Sequence, residues 1–380
     1  MNIKTKKNTR YLEDQIKKDL TRKMVFVGGP RQVGKTTLAK QFVSKSDKNN
    51  LGYLNWDISI HREFILKQEL PNAPLWIFDE IHKYRDWRNY LKGVYDQHGN
   101  NHQILVTGSA QLDCYRRGGD SLQGRYHYLR LYPLTVAELK LENIKDLEDL
   151  LALSGFPEPF FMGDFTESKR WSTEYRHRLI EEDLIKLEQV RDLGSLELLM
   201  MRLPALVGSP LSINSLREDL NVSHNTISNW LDIFTRLYAI FRIPPFGVEK
   251  LRAVKKEQKH YHFDWSLIES EGAKFENLVA VHLLKWVHFE QDTKARDLEL
   301  RYFRDVDGRE VDFVVTEKNK PIMAIECKWS DDDISKGLKY FKNHFPECEA
   351  WQISMFGKKD YISKEGIYVS QALKLLKHLI

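Results

Sequence analysis

Gly29-Pro30-Arg31-Gln32-Val33-Gly34-Lys35-Thr36 fits G-x-x-x-x-G-K-[ST], a spacing suited to cradling a nucleoside triphosphate. The glycines let backbone N–H groups wrap a phosphate without side-chain clash. Lys35 would reach the β- and γ-phosphates, and Thr36 would set its hydroxyl on Mg²⁺. Thr37 completes the candidate nucleotide-binding run. Leu75-Trp76-Ile77-Phe78 is an apolar run ending in Asp79-Glu80. Asp79 there would hold Mg²⁺ through its water shell, and Glu80 would polarise an attacking water. A third apolar run, Ile104 to Thr107, leads into Gly108-Ser109, so Thr107 or Ser109 could sense the γ-phosphate.

These side chains converge only if a parallel sheet carries them. The pattern predicts strands at Met24–Val27, Tyr53–Trp56, Leu75–Phe78, Ile104–Thr107 and Tyr128–Leu131. Helices are expected at 10–22, 36–44 and 87–98. Strand–helix alternation of this kind argues for a parallel α/β fold. After Pro133 the chain becomes mostly helical, with a break at Gly155-Phe156-Pro157-Glu158-Pro159 and helices expected over 168–190 and 195–207.

Residues 211–243 read as a helix-turn-helix. Ile213, Leu216 and Leu220 form one apolar face, Asn221-Val222 the turn, and Ser223 the N-cap of the next helix. That helix would present His224, Asn225, Ser228 and Asn229, which can read DNA bases but bring little charge for phosphates. Basic residues from Lys250 through Lys255, Lys256 and Lys259 could form a wing. Packing inside the protein or against a partner is the other use of such a module.

The C-terminal third returns to mixed α/β: a helix at 272–288, strands at 299–304, 309–316 and 321–329, a helix near 334–345, a strand at 349–354 and a last helix at 370–379. A hairpin centred on Asn319 sets Asp312 across from Glu326, and Glu310 across from Lys328. Val311, Phe313 and Val315 would then share an apolar face with Ile325, Cys327 and Trp329. One use of the charged face is metal-dependent phosphodiester chemistry. Asp312 and Glu326 would hold Mg²⁺ or Mn²⁺, Glu276 would add a helical carboxylate, and Lys328 would orient the water. The other is a pair of solvated salt bridges.

At 380 residues, with 42% apolar residues, the chain has room for two or three cores. Its formal charge of +4, from 58 basic and 54 acidic residues, does not by itself call for nucleic acid. Cys114, Cys327 and Cys348 lack any paired spacing, which disfavours a disulfide framework or zinc site. With no apolar run long enough for a signal sequence or a membrane span, the expected location is cytoplasmic.

The run 29–37, Asp79-Glu80-Ile81-His82-Lys83, Thr107-Gly108-Ser109, Ser121 to Arg125, Pro133-Leu134-Thr135 and Phe275-Glu276-Asn277-Leu278-Val279 together resemble the AAA+ ATPases that carry a C-terminal DUF4143 domain. The resemblance spans nearly the whole chain. It implies an ATP- and Mg²⁺-dependent hydrolase with a P-loop AAA+ parallel-sheet domain at 1–153. A helical and winged-helix middle would follow at 154–265, and an α/β domain similar to the PD-(D/E)xK restriction-endonuclease-like fold at 266–380. Asp312, Glu326 and Lys328 match that motif, and Glu276 its helical acid. The resemblance also suggests Arg125 as an arginine finger serving a neighbouring copy in a homo-oligomer, with Arg116 and Arg117 as rivals and local pairing as the alternative. Arg176 or Arg178 could sense nucleotide from a lid. DNA processing gated by ATP is one implied function; an ATP-dependent switch with a catalytically silent C-terminal domain is the other.

Overall fold

The computed structural model describes residues 9–43, 52–108, 122–180, 192–247 and 257–380. Contacts divide the chain into two compact units, Lys7–Tyr132 and Pro133–Ile380. Residues 133–153, expected with the first domain, lie in the second unit. Ser109, Arg116, Arg117 and the basic residues from Lys250 to Lys256 lie outside the described residues.

The first unit runs α1 (Glu13–Leu20), β1 (Met24–Gly28), α2 (Lys35–Lys40), β2 (Tyr53–Asn55), α3 (Ser59–Lys67), β3 (Leu75–Asp79), α4 (Trp87–His98), β4 (Gln103–Thr107) and β5 (Tyr126–Arg130). Its sheet has the order β2-β3-β4-β1-β5, and every pairing is parallel. Strands β1 and β3 are buried along their whole length, which is why they read as unbroken apolar runs rather than alternating ones. Phe26, Phe78, Trp76, Trp87, Leu91 and Val106 belong to one core cluster. Because all five strands point the same way, the loop after β1 and the ends of β3 and β4 share one edge. Asp79 lies beside Thr107, and Thr107 beside Val27.

The second unit begins with α5 (Val136–Leu139), α6 (Ile144–Leu153), α7 (Pro157–Met162), α8 (Phe165–Arg178), α9 (Leu193–Arg202), α10 (Ile213–Leu220) and α11 (His224–Arg236). Asn221, at φ 53°, makes the turn between α10 and α11, and Ser223 caps α11 by accepting the Thr226 N–H. Two antiparallel strands follow, β6 (Ile240–Ile243) and β7 (Lys259–His262). Next come α12 (Glu271–Lys294), β8 (Leu298–Arg304), β9 (Glu310–Glu317), β10 (Lys320–Lys328), α13 (Lys336–His344), β11 (Glu349–Ser354), β12 (Tyr361–Ile362), β13 (Ile367–Gln371) and α14 (Ala372–Leu376). They build a mixed sheet in the order β12-β13-β11-β10-β9-β8. The helix expected at 370–379 is present but shorter, α14 at Ala372–Leu376, because strand β13 runs on to Gln371. The β-branched Ile367 and Val369 are buried while Tyr368 between them is less so, the alternation of a strand.

The β9–β10 hairpin departs from the expected register twice, and the departures cancel. Its turn is Lys318-Asn319, both at positive φ, so Lys320 rather than Pro321 faces Glu317. An irregularity between Pro321 and Met323 then inserts one residue, after which Ile325 faces Phe313. Asp312 therefore meets the Glu326–Cys327 end of β10 as expected. A second irregularity sets Phe303 against Val311 but Arg301 against Val314, leaving an extra residue on β9 at 312–313. This corrects the apolar face expected from plain alternation. Val311 and Val314 share one cluster with Ala324, Leu338 and Phe341, while Phe313 packs on Tyr261.

Candidate active site

Strand β1 ends at Gly28, and the loop from Gly29 to Gly34 joins it to α2. Gly29 has φ 133°, and a Cβ there would meet the Leu131 carbonyl at 2.1 Å, so only glycine fits. Gln32 and Gly34 also have positive φ, 55° and 95°. Val33 is buried, and its carbonyl accepts from the Arg10 guanidinium at 2.6 Å; Arg10 reaches the Tyr132 carbonyl as well. Lys35 is buried and donates to the carbonyls of Gly29 at 3.0 Å and Pro30 at 2.5 Å. Pro30 is buried and Arg31 half-buried, while Gln32 and Thr37 are exposed.

Asp79 is the hub. Thr36 Oγ1 donates to its Oδ2 at 2.9 Å, Tyr53 Oη at 2.7 Å and Asn55 Nδ2 at 3.2 Å; Thr107 Oγ1 donates to Oδ1 at 2.6 Å. All four donors are neutral, so the carboxylate is oriented while its charge stays uncompensated by them. Burial, with the neighbouring Asp79 carboxylate, raises the Tyr53 pKa and keeps the phenol a donor. Oxygen donors of this kind suit Mg²⁺, which takes one or two carboxylates together with substrate phosphates. Thr36 and Asp79 are the residues that would hold it.

Glu80 follows at φ 57°, a conformation sparsely used by residues with side chains. Its N–H donates to the Thr107 carbonyl at 2.9 Å, and its carboxylate lies 3.3 Å from Lys83. Burial raises its pKa against the opposing pull of Lys83 and Lys35. His82, 3.7 Å away, is lowered to about 3 chiefly by burial, so it stands beside Glu80 as a neutral ring. The sheet thus brings Lys35, Thr36, Asp79, Glu80 and Thr107 to one edge. Tyr53 and Asn55 were missed, because only the strand order sets Asn55 beside Asp79. Arg125 is not brought there. It immediately precedes β5, which runs parallel to β1, and it forms a two-pronged pair with Asp96 at 2.7 and 3.0 Å.

In the second unit, Asp312, Glu326, Lys328 and Glu276 do come together, with additions. Asp312 Oδ2 accepts the Cys327 N–H at 2.9 Å, and Lys328 lies 3.1 Å from Glu326. Glu310, expected opposite Lys328, pairs instead with Lys259 at 2.5 Å and faces Arg304 at 3.8 Å. Lys259, expected in an exposed basic wing, is fully buried on β7, 3.5 Å from Glu276 and 3.6 Å from Asp312. Burial alone would lower its pKa; Glu276, Asp312 and Glu310 outweigh that and hold it above its ordinary value. Burial, with Asp312 beside each, pushes Glu276 up to about 8 and Glu326 up to about 7. Among the described residues, no three His, Cys, Asp or Glu side chains are placed to share a metal ion. On α11, His224, Asn225 and Asn229 are exposed and Ser228 is half-buried. Arg176 and Arg178 close α8, where Arg178 pairs with Glu174 at 3.4 Å.

Residues 21–140 match the family model described as AAA domain. The first unit carries an AAA domain. Such a domain implies ATP as ligand, Mg²⁺ with it, and ATPase activity. Residues 144–272 match a domain of unknown function, DUF8612, and residues 271–373 another, DUF4143. An uncharacterized protein of Methanocaldococcus jannaschii is 22% identical, over 93% of this chain and 86% of its own. An uncharacterized protein of Mycobacterium tuberculosis is 23% identical, over 79% and 72%. A crystal structure of Bacteroides Pif1 bound to ssDNA aligns at a TM-score of 0.21 and 16% identity, over 37% of this chain and 44% of that one, too faint a likeness to inform fold or function. Among the described residues no helix is long and apolar enough to cross a membrane.

Proposed function

We propose that the AAA domain hydrolyses ATP at the edge formed by Gly29–Thr37, Asp79 and Glu80, and that its nucleotide state governs how the second unit associates with a partner, DNA being the first to test. The observation that carries the ATPase reading is the Thr36–Asp79 hydrogen bond, which joins the loop after β1 to the end of β3. Bound Mg²⁺ would offset charge on the phosphates. Lys35, released from the Gly29 and Pro30 carbonyls, would exchange them for phosphate oxygens. Glu80 would accept a proton from water, its raised pKa making it a better base than a solvated carboxylate.

For association, the α10–α11 pair offers His224, Asn225 and Asn229 to solvent. These residues form hydrogen bonds but carry little positive charge, which favours a contact of weak salt dependence. Phosphodiester cleavage at Asp312, Glu326 and Lys328 is not part of the proposal, because an ammonium from the same chain already sits among the acids there. The deciding experiment compares parent and Lys35→Ala chains for ATP turnover and for ATP-dependent retention of duplex DNA. We expect turnover to drop at least about 100-fold, as when a transition-state donor is removed, and ATP-dependent retention to vanish with it. Full turnover by a clean Lys35→Ala preparation would defeat the ATPase reading. Retention indifferent to ATP would defeat the coupling.

A further inference from the structure

We infer that the acid cluster of the second unit is closed by its own lysine: the ammonium of Lys259 serves as its cation, in place of a divalent metal among Glu276, Asp312 and Glu326. Burying an ammonium is costly unless it is paired and hydrogen-bonded. Lys259 meets that condition, with Glu310 at 2.5 Å, Glu276 at 3.5 Å and Asp312 at 3.6 Å. It is also fixed in place. Asn277, next to Glu276 on α12, clamps β7 by accepting the His262 N–H at 2.7 Å and donating to the His262 carbonyl at 2.6 Å. The strand that carries the lysine is thereby tied to the helix that carries one of its acids.

Two further donors reach the same acids. Tyr261 donates to Glu276 Oε1 at 2.7 Å, and the Cys327 N–H to Asp312 Oδ2 at 2.9 Å. The Gly208 backbone closes against Glu276 Oε2, which lies 3.0 Å from where a Cβ would stand. A metal ion here would have to share Asp312 and Glu276 with an ammonium that repels it. One atom points the other way: Glu326 Oε2 is buried and lacks a hydrogen-bond partner. Three cations, Lys259, Arg304 and Lys328, already face the four carboxylates. A single proton within the cluster completes that balance, whereas a divalent ion would exceed it by one charge.

The inference stands apart from the ATPase reading, whose residues lie in the other unit. Its test is Mn²⁺ binding, followed by electron paramagnetic resonance, to the nucleotide-free full chain and to Asp312→Asn. We expect the two to bind the same amount of Mn²⁺, any uptake near Asp79 cancelling in the comparison. A Mn²⁺ site present in the parent and lost in Asp312→Asn would overturn the inference, whatever the ATPase assay shows. Lys259→Met should gain a Mn²⁺ site that disappears again in Lys259→Met/Asp312→Asn. A folded Lys259→Met chain that binds no more Mn²⁺ than the parent would overturn the claim that the lysine excludes the metal. Should Lys259→Met fold poorly, the parent against Asp312→Asn comparison decides by itself.

Discussion

Asp79 and Asp312 are both carboxylates held within a sheet, yet they are supported in opposite ways. Asp79 is gripped by four neutral donors, Thr36, Tyr53, Asn55 and Thr107, which orient it without cancelling its charge. Asp312 shares a buried ammonium with Glu276 and Glu310. Neutral donors leave a carboxylate ready for a cation from outside; an internal cation satisfies it beforehand. Acidic residues at suitable spacing therefore do not make a metal site until the charge around them has been counted.

Substitutions on the two sides should diverge most in stability. Lys259→Met leaves buried carboxylates without their cation and should cost about 3–5 kcal/mol, measured by denaturant unfolding of the chain. Asp79→Asn keeps an oxygen acceptor and relieves a buried charge. It should shift stability by no more than about 1 kcal/mol while lowering ATP turnover at least about 100-fold. Comparable stability losses in the two variants would break the contrast.

Acid should separate the two units next. In the second unit, burial lowers His260 to about 4 and His282 to about 3, and holds His262 well below its usual value; in the first unit burial lowers His82 to about 3 and also lowers the more exposed His61. The His282 hydrogen bonds explain its preference: Nε2 accepts the Val136 N–H at 3.0 Å while Nδ1 contacts the Leu278 carbonyl, which requires a neutral ring. These folded-state pKa values lie below the unfolded one. The stability they contribute is complete above about pH 6.5 and is lost as pH falls toward 4 and 3. At pH 5.5 each ring should cost about 1 kcal/mol. Glu276 and Glu326, raised to about 8 and about 7, gain stability as pH falls through the same range and oppose that loss. The histidine share is therefore read from calorimetry of the parent against His282→Gln at pH 7.5 and 5.5: the parent should lose about 1 kcal/mol more, and equal losses would refute the assignment.

The meeting of the loop after β1 with the end of β3 was legible in the sequence because its signals are local. The glycine spacing, the apolar strand before it and the acidic end of β3 each lie within a few residues. The support of Asp79 by Tyr53 and Asn55 needed the strand order, which no local pattern states. The Asp312–Glu326 pairing was foreseen, but through a turn and an irregularity that offset each other at Lys318-Asn319 and Ile322. Lys259 was the largest misreading. In sequence it closes a basic run, and nothing local shows that it turns inward toward acids 17, 51 and 53 residues further on. The alternation of Lys259, Tyr261 and Phe263 was a faint sign of a buried strand.

The smallest effect is expected from Arg125→Ala. Arg125 and Asp96 are both partly exposed, and such surface pairs contribute little to stability. Since Met24 pairs with Tyr126 and Gly28 with Arg130, Arg125 stands at the edge of the sheet opposite the loop that follows Gly28. It is therefore placed away from the Lys35–Asp79 edge of its own unit. The melting temperature, ATP affinity and turnover of the dilute chain should therefore be unchanged. Turnover measured across a range of protein concentrations sharpens the point. A deficit in Arg125→Ala that appears only as concentration rises would mean that a second copy borrows this arginine, with the Asp96 pair as its resting position. A deficit at every concentration would mean that the pair with Asp96 supports α4 and, through it, the Asp79 edge.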